Sequence, residues 1–103
     1  MLCKLALLTV LAVAFVGAQD QEGPFCYACV HMVADAKLHY NNDFKNVTAA
    51  ELETLMDVEC DQYAEGFADL MCKKLMSESK SALLKALQEG KDAKTVCKES
   101  TIC

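Results

Sequence analysis

The sequence contains no tryptophan, no arginine and a single proline, and it is short of positive charge. Fifteen Asp and Glu residues against ten lysines give a net charge of −5. Nucleic-acid-binding proteins usually have a basic excess that neutralises phosphates, so no nucleic-acid partner is expected. A chain of 103 residues is too short for a (β/α)₈ barrel or a two-domain dehydrogenase. At 53% apolar residues it does not resemble a disordered tail, and it contains seven cysteines, an odd number.

The one long apolar run stands at the start of the sequence. A basic start ending at Lys4 precedes apolar residues 5–16, and the small residues Gly17 and Ala18 follow. This pattern is typical of a cleaved secretory signal, whereas a membrane anchor needs more residues to cross about 30 Å of hydrocarbon. We therefore expect a signal peptide over residues 1–18, a short mature segment over residues 19–24 and one domain over residues 25–103.

Cleavage would change both the cysteine count and the charge. Removing 18 residues from 103 leaves 85, and the loss of Cys3 leaves six cysteines. The loss of Lys4 changes the net charge from −5 to −6. No second long apolar run follows, so the mature chain is expected to be soluble or peripheral at a membrane.

Six cysteines in a small exported domain favour disulfide bonds. Cys26 and Cys29 have the CxxC spacing that zinc sites and thioredoxin-type redox sites also use. A zinc site would need a second close pair, and a redox site would need alternating strands and helices, and neither is present. We expect three disulfides, no metal and no cofactor. Because the thiols are oxidised and neither histidine has a plausible serine partner, we do not expect an enzyme.

Apolar residues recur with helical spacing along the chain, and no segment alternates as a strand would. The first helix is predicted over residues 25–40. Thr48 and Glu51 form a capping box that begins the second helix, which continues to about Tyr63. Along this helix the apolar period includes either Val58 or Glu59.

The second half of the chain predicts three further helical segments. Gly66 marks a turn, and a third helix follows over residues 67–76. The serine-containing residues 77–81 predict a bend, because serine side chains compete for backbone hydrogen bonds. A fourth helix then ends at Gly90, and Asp92 caps a short fifth helix. The predicted class is all-α, with five helical segments.

The cysteine pairing is not fixed by the sequence, since six cysteines allow fifteen pairings. Cys26 and Cys29 stand one turn apart on the first helix. If the last helix packs antiparallel to the first, these two cysteines meet the last two in the chain. The central two cysteines then join the second and third helices.

The cysteine frame resembles the saposin-like (saposin B-type) family, which has a CxxC near the start, a central pair and a terminal CxxxxxC. The resemblance covers residues 25–103. Residues 71–76 look like the corresponding stretch of NK-lysin, and residues 96–103 are similar to the closing motif of the family. A departure is Ala93, near a position where many members have proline. The resemblance implies two helical leaves joined by the bonds Cys26–Cys103, Cys29–Cys97 and Cys60–Cys72.

The resemblance also implies work on lipids. Saposin-like proteins can open to expose their apolar interior to lipid. Some are lipid carriers or activators of lipid hydrolases, and others, such as NK-lysin, amoebapores and caenopores, disrupt membranes. The single short domain looks more like an amoebapore or caenopore than like a precursor of several saposins.

Charge is unevenly distributed along the mature chain. Residues 20–69 have a net charge of −9, and residues 70–103, with seven lysines and four acids, have +3. Lysines close to apolar helix faces favour contact with anionic headgroups. Leu70 and Met71 are expected in the core with the leucines, which would reach lipid when the fold opens. The predicted membrane-contact residues are Lys73, Lys74, Lys80, Lys85, Leu75, Met76, Leu83, Leu84 and Leu87.

Two further features concern pH and modification. Below about pH 6, His31 and His39 gain charge and the net charge rises from −6 to −4, so stronger membrane activity is expected in acid. Asn46 begins an N-glycosylation sequon that Thr48 completes, in the loop before the second helix.

Taken together, these features predict a secreted saposin-like effector that binds anionic lipids and permeabilises membranes at acidic pH. The alternative is a lipid-binding or lipid-transfer protein, or an activator of a lysosomal lipid hydrolase, which the lack of arginine favours. The expected partners are phospholipid or glycolipid membranes, on which the chain could form homo-oligomers. The expected location is outside the cell, or the lumen of an acidic lysosome-like or gut compartment.

Overall fold

The computed structural model describes residues 23–103, and within them the chain forms four α-helices and no strand. They are α1 (Cys26–His39), α2 (Ala49–Tyr63), α3 (Phe67–Gln88) and α4 (Ala93–Glu99). The predicted all-α class is confirmed over these residues. The predicted signal peptide over residues 1–18 lies outside the described residues, as does most of the segment over residues 19–24.

The helix ends are set by the local interactions that the sequence predicts. At the start of α2, the Glu51 N–H donates to Thr48 Oγ1 at 3.1 Å and the Thr48 N–H donates to Glu51 Oε1 at 2.9 Å. Before α4, Asp92 Oδ1 accepts from the Thr95 N–H at 2.8 Å, and this bond lowers the pKa of Asp92. Gly90 follows α3 with φ +78°, a conformation that favours glycine. Both predicted caps and the glycine stop are confirmed.

The predicted bend over residues 77–81 is wrong, because α3 is one helix of 22 residues. Lys74 and Glu78 pair one turn apart across this stretch at 3.1 Å, and Lys80 bonds to Glu53 of α2 at 2.7 Å. The buried side chains of Met76 and Leu83 continue the apolar period on either side of it. Serine lowers helix propensity only modestly, so tertiary packing prevails. The described chain therefore has four helices where five were expected.

The four helices form two pairs. The central pair is α2 and α3, which pack closely against each other, and the terminal pair is α1 and α4. The two pairs meet where α1 contacts α2 and where α3 contacts α4. The bond Cys60–Cys72 joins the central pair, and Cys26–Cys103 and Cys29–Cys97 join α1 to α4 and the segment after it. The three predicted disulfides are confirmed.

The core lies between the two pairs and is rich in sulfur. Met32 of α1, Met56 of α2 and Met76 of α3 are each at most 2% exposed. Met32 Sδ lies 3.9 Å from Cys72 Sγ, an apolar contact since the oxidised cysteine has no S–H to donate. Methionine side chains are flexible and fill irregular gaps, so this interface can repack more readily than one built of branched residues.

Candidate functional site

The predicted apolar contact residues belong to the core of the closed fold. Met76, Leu83 and Leu87 are buried, with at most 3% of their surface exposed. Leu75 and Leu84 are half-buried and pack against the same cluster. In this structure none of the five forms an exposed apolar surface, so they can reach lipid only if the two helix pairs separate.

Two of the predicted contact lysines bind carboxylates that help to hold α3 on α2. Lys73 Nζ lies 2.8 Å from Asp61 Oδ1 of α2 and 3.2 Å from Asp69 Oδ2 of α3. Lys80 Nζ lies 2.7 Å from Glu53 Oε1 of α2. The bonds to Lys73 lower the pKa of Asp61, and the bond to Lys80 lowers that of Glu53. These two lysines are therefore engaged within the chain and are poorly placed to meet a headgroup.

The other two predicted lysines point away from α2. The side chain of Lys74 is 64% exposed, and its partner Glu78 is on its own helix, in a solvated ion pair of small energy. Lys85 is exposed, and among residues 23–103 no carboxylate lies within ion-pair distance of it. These two ammonium groups are accessible to an external anion.

Two large apolar side chains extend the same surface, and neither is among the membrane-contact residues that the sequence predicts. Phe67 is 76% exposed and Leu70 is 64% exposed, so the expected core position of Leu70 is wrong. Phe67, Leu70 and Lys74 follow at helical spacing, and Lys85 lies about five turns beyond Phe67 on the same side. We call these four residues the outer face of α3. The period itself could have revealed it, because this stripe is displaced from the one through Cys72, Met76 and Leu83.

A cluster of ionisable groups lies at the contact of α1 with α2. Glu59 of α2 is only 8% exposed, whereas Val58 is 51% exposed. The buried stripe of α2 therefore passes through Glu59 and not through Val58. Burial and the adjacent carboxyl of Asp35 on α1 raise the pKa of Glu59 to about 7. The Tyr63 hydroxyl donates to Asp35 Oδ2 at 3.0 Å, and this bond raises the pKa of Tyr63.

The remaining predicted positions are on the surface. Asn46 is exposed in the loop before α2, where a glycan would meet no obstruction from the core. His31 is exposed on α1, with its ring centroid 4.2 Å from that of Tyr27 and 6.0 Å from that of Tyr63. His39 is exposed at the end of α1 and contacts Tyr40 edge to face.

Residues 23–103 contain neither a membrane-spanning helix nor a metal-binding cluster. No helix in this part of the chain combines the length and the apolar content needed to cross a membrane. Within the same range, no three or more His, Cys, Asp or Glu side chains are grouped so that they could hold a metal ion.

Comparison with known proteins adds no relative. No family model matches this chain, and neither the curated proteins nor the solved structures contain a match.

Proposed function

We propose that this chain is a secreted, saposin-like protein without enzymatic activity that binds anionic lipids and permeabilises membranes, most strongly in acid. The observation that carries the proposal is the outer face of α3, where Phe67 and Leu70 stand exposed close to Lys74, and Lys85 lies further along the helix on the same side. Two helix pairs, one closed by one disulfide and the other by two, fit the saposin-like resemblance of the sequence.

The magnitudes indicate how this face would bind. Burying Phe67 and Leu70 at the boundary between headgroups and acyl chains contributes about 2 kcal/mol for each side chain. Lys74 and Lys85 contribute about 1 kcal/mol each near an anionic surface. The apolar part therefore outweighs the ionic part, and binding should persist in part when salt screens the lysines.

Acid strengthens this interaction by lowering the negative charge of the chain. Glu59, with a pKa of about 7, gains a proton just below neutrality, and burial also raises the pKa of Asp57. Fewer carboxylates mean less repulsion from anionic phospholipid or glycolipid headgroups. Activation in acid suits an acidic lysosome-like or gut lumen. The proposal also includes secretion from the cell and homo-oligomers on the membrane.

A second candidate function is lipid binding and transfer, including presentation of lipid to a hydrolase. The buried methionines Met32, Met56 and Met76 favour it, since they lie between the helix pairs and could repack around acyl chains. Extraction of labelled lipid from vesicles without leakage of their contents would support this candidate over the first.

The test is dye release and co-sedimentation with anionic liposomes at pH 5 and pH 7. We expect more binding and more release at pH 5. Replacing Phe67 and Leu70 by serine, or Lys74 and Lys85 by glutamate, should weaken binding by at least tenfold. The matched control replaces Lys45 and Lys98, which are exposed on other elements, by glutamate and so makes the same change in net charge. Equal losses in the two lysine pairs, or equal release at the two pH values, would contradict the proposal.

A further inference from the structure

Two carboxyl groups on different helix pairs are neighbours at the α1–α2 junction. Asp35 projects from α1 of the terminal pair, and the buried Glu59 projects from α2 of the central pair, one turn before Tyr63. Asp35 also accepts the Tyr63 hydroxyl at 3.0 Å. This junction is one of the two places where the pairs meet, so the state of these carboxyls acts directly on the contact between them.

No cation of the described chain balances this pair. Glu59 is more than nine-tenths buried, and its Oε1 accepts no hydrogen bond from residues 23–103. The neighbouring groups on the α1 side are Tyr27 and His31, and the His31 ring lies between the rings of Tyr27 and Tyr63.

Lys73 and Asp69 of α3 are engaged with partners other than Glu59 and Asp35. Lys73 and Asp69 bond to each other, and Lys73 also bonds to Asp61, which is two residues from Glu59 and therefore on another side of α2. Two ionised carboxylates in contact would repel, whereas one proton lets Glu59 donate an O–H to Asp35.

We propose that Glu59 is a proton-operated clamp, which holds the central and terminal helix pairs together when it is protonated and loosens their contact when it is ionised. This goes beyond the proposed function, because it concerns the free chain in the absence of lipid. Opening of the fold is thereby favoured above neutral pH and opposed in acid.

The direction follows from the two states of Glu59. Its pKa is raised from 4.5 to about 7 in the folded chain. Between pH 4.5 and 7 the folded state therefore keeps a proton on Glu59 that the unfolded state has released. The stabilisation is complete below pH 4.5 and is lost as the pH rises through 7. At tenfold for each unit of pKa difference, the unfolding equilibrium constant changes by up to roughly 300-fold across this window.

Urea unfolding of the oxidised protein between pH 4.5 and 8 tests the clamp, with Glu59→Gln as the variant that cannot titrate. We expect the unfolding equilibrium constant of the parent protein to rise steeply between pH 4.5 and pH 8. The unfolding equilibrium constant of Glu59→Gln should change much less over the same pH range. The matched control is Glu65→Gln, an exposed carboxyl near the end of α2, which should keep the slope of the parent.

A direct titration keeps the test decisive if Glu59→Gln fails to fold. The carbon-13 shift of the Glu59 carboxyl in the parent protein should titrate close to pH 7, and hydrogen exchange in α1, corrected for its intrinsic pH dependence, should accelerate over the same range. A midpoint near 4.5, or identical slopes for Glu59→Gln and the parent, would overturn the clamp. Because no lipid is present, neither result depends on whether the chain permeabilises vesicles.

Discussion

The two bridges between the ends of the domain should not act independently. Cys26–Cys103 and Cys29–Cys97 have sequence separations of 77 and 68 residues, and the second lies inside the first. Taken alone, closing a loop of either length stabilises the folded state by about 4.5 kcal/mol, through the entropy that the unfolded chain loses. Once one bridge has formed, however, the other closes only the short segments that lie between them.

The nesting sets the magnitude for each variant. The segments between the bridges are residues 26–29 and residues 97–103, and a loop of this size contributes about 2.5 kcal/mol. Replacing one cysteine pair by alanine should therefore lower the free energy of unfolding by about 2.5 kcal/mol. Replacing both should lower it by about 7 kcal/mol, more than the two single losses together. Such a loss is comparable to the whole stability of a small domain.

Urea unfolding followed by circular dichroism at 222 nm, without reductant, measures these differences. Trimethylamine oxide can extend the range if the variant lacking both bridges is unfolded in buffer. The control is the Cys60–Cys72 bond, with a separation of 12 residues, whose loss should cost about 3 kcal/mol and add simply to the loss of either long bridge. A single long bridge that costs more than 4 kcal/mol, or additive losses of the two, would refute the nested-loop reasoning.

Two further predictions separate local from tertiary contributions. Thr48→Ala should lower the free energy of unfolding of the unglycosylated protein by about 1 kcal/mol, since α2 loses its cap. Asn46→Gln should leave this free energy unchanged, and Thr48→Ser should keep most of the stabilisation because serine also caps helices. If the sequon is used, mass spectrometry should show the glycan lost in Thr48→Ala and Asn46→Gln but kept in Thr48→Ser. Leu83→Ala should cost about 3 kcal/mol and Leu70→Ala less than about 0.5 kcal/mol, because Leu83 is fully buried and Leu70 is 64% exposed. Equal costs for the two leucines in urea unfolding would contradict the assignment of Leu70 to the outer face of α3.

The helix ends that the sequence predicted correctly depend on residues close together in the chain. The capping box joins residues three apart, and so does the bond between Asp92 and Thr95. The continuity of α3 could not be predicted in this way, since Lys80 is bonded to Glu53, 27 residues earlier. Serines between two apolar stretches look like a bend when that contact is unknown.

At the candidate site, too, contacts between residues distant in the chain could not be predicted. The sequence indicates that lysines cluster after residue 70, but which of them stay accessible depends on where α2 packs. Asp61 and Glu53 of α2 engage Lys73 and Lys80, and they leave Lys74 and Lys85 outside. Glu59 lies at one of the two positions through which the apolar period of α2 could pass. An acidic residue at such a position was the one indication in the sequence that Glu59 and Asp35 form a buried pair.

Under the proposed function and the proposed clamp, acid acts on this chain in two opposite directions, and this opposition limits how a membrane could be permeabilised. It lowers the negative charge, which favours approach to an anionic membrane, and it protonates Glu59, which opposes separation of the helix pairs. The outer face of α3 exists in the closed structure, so binding through Phe67 and Leu70 requires no separation. Leu83 and Leu87 reach lipid only after separation. Permeabilisation that increases in acid must therefore proceed from the outer face of the closed domain, whereas lipid extraction into an opened core would increase as the pH rises through 7.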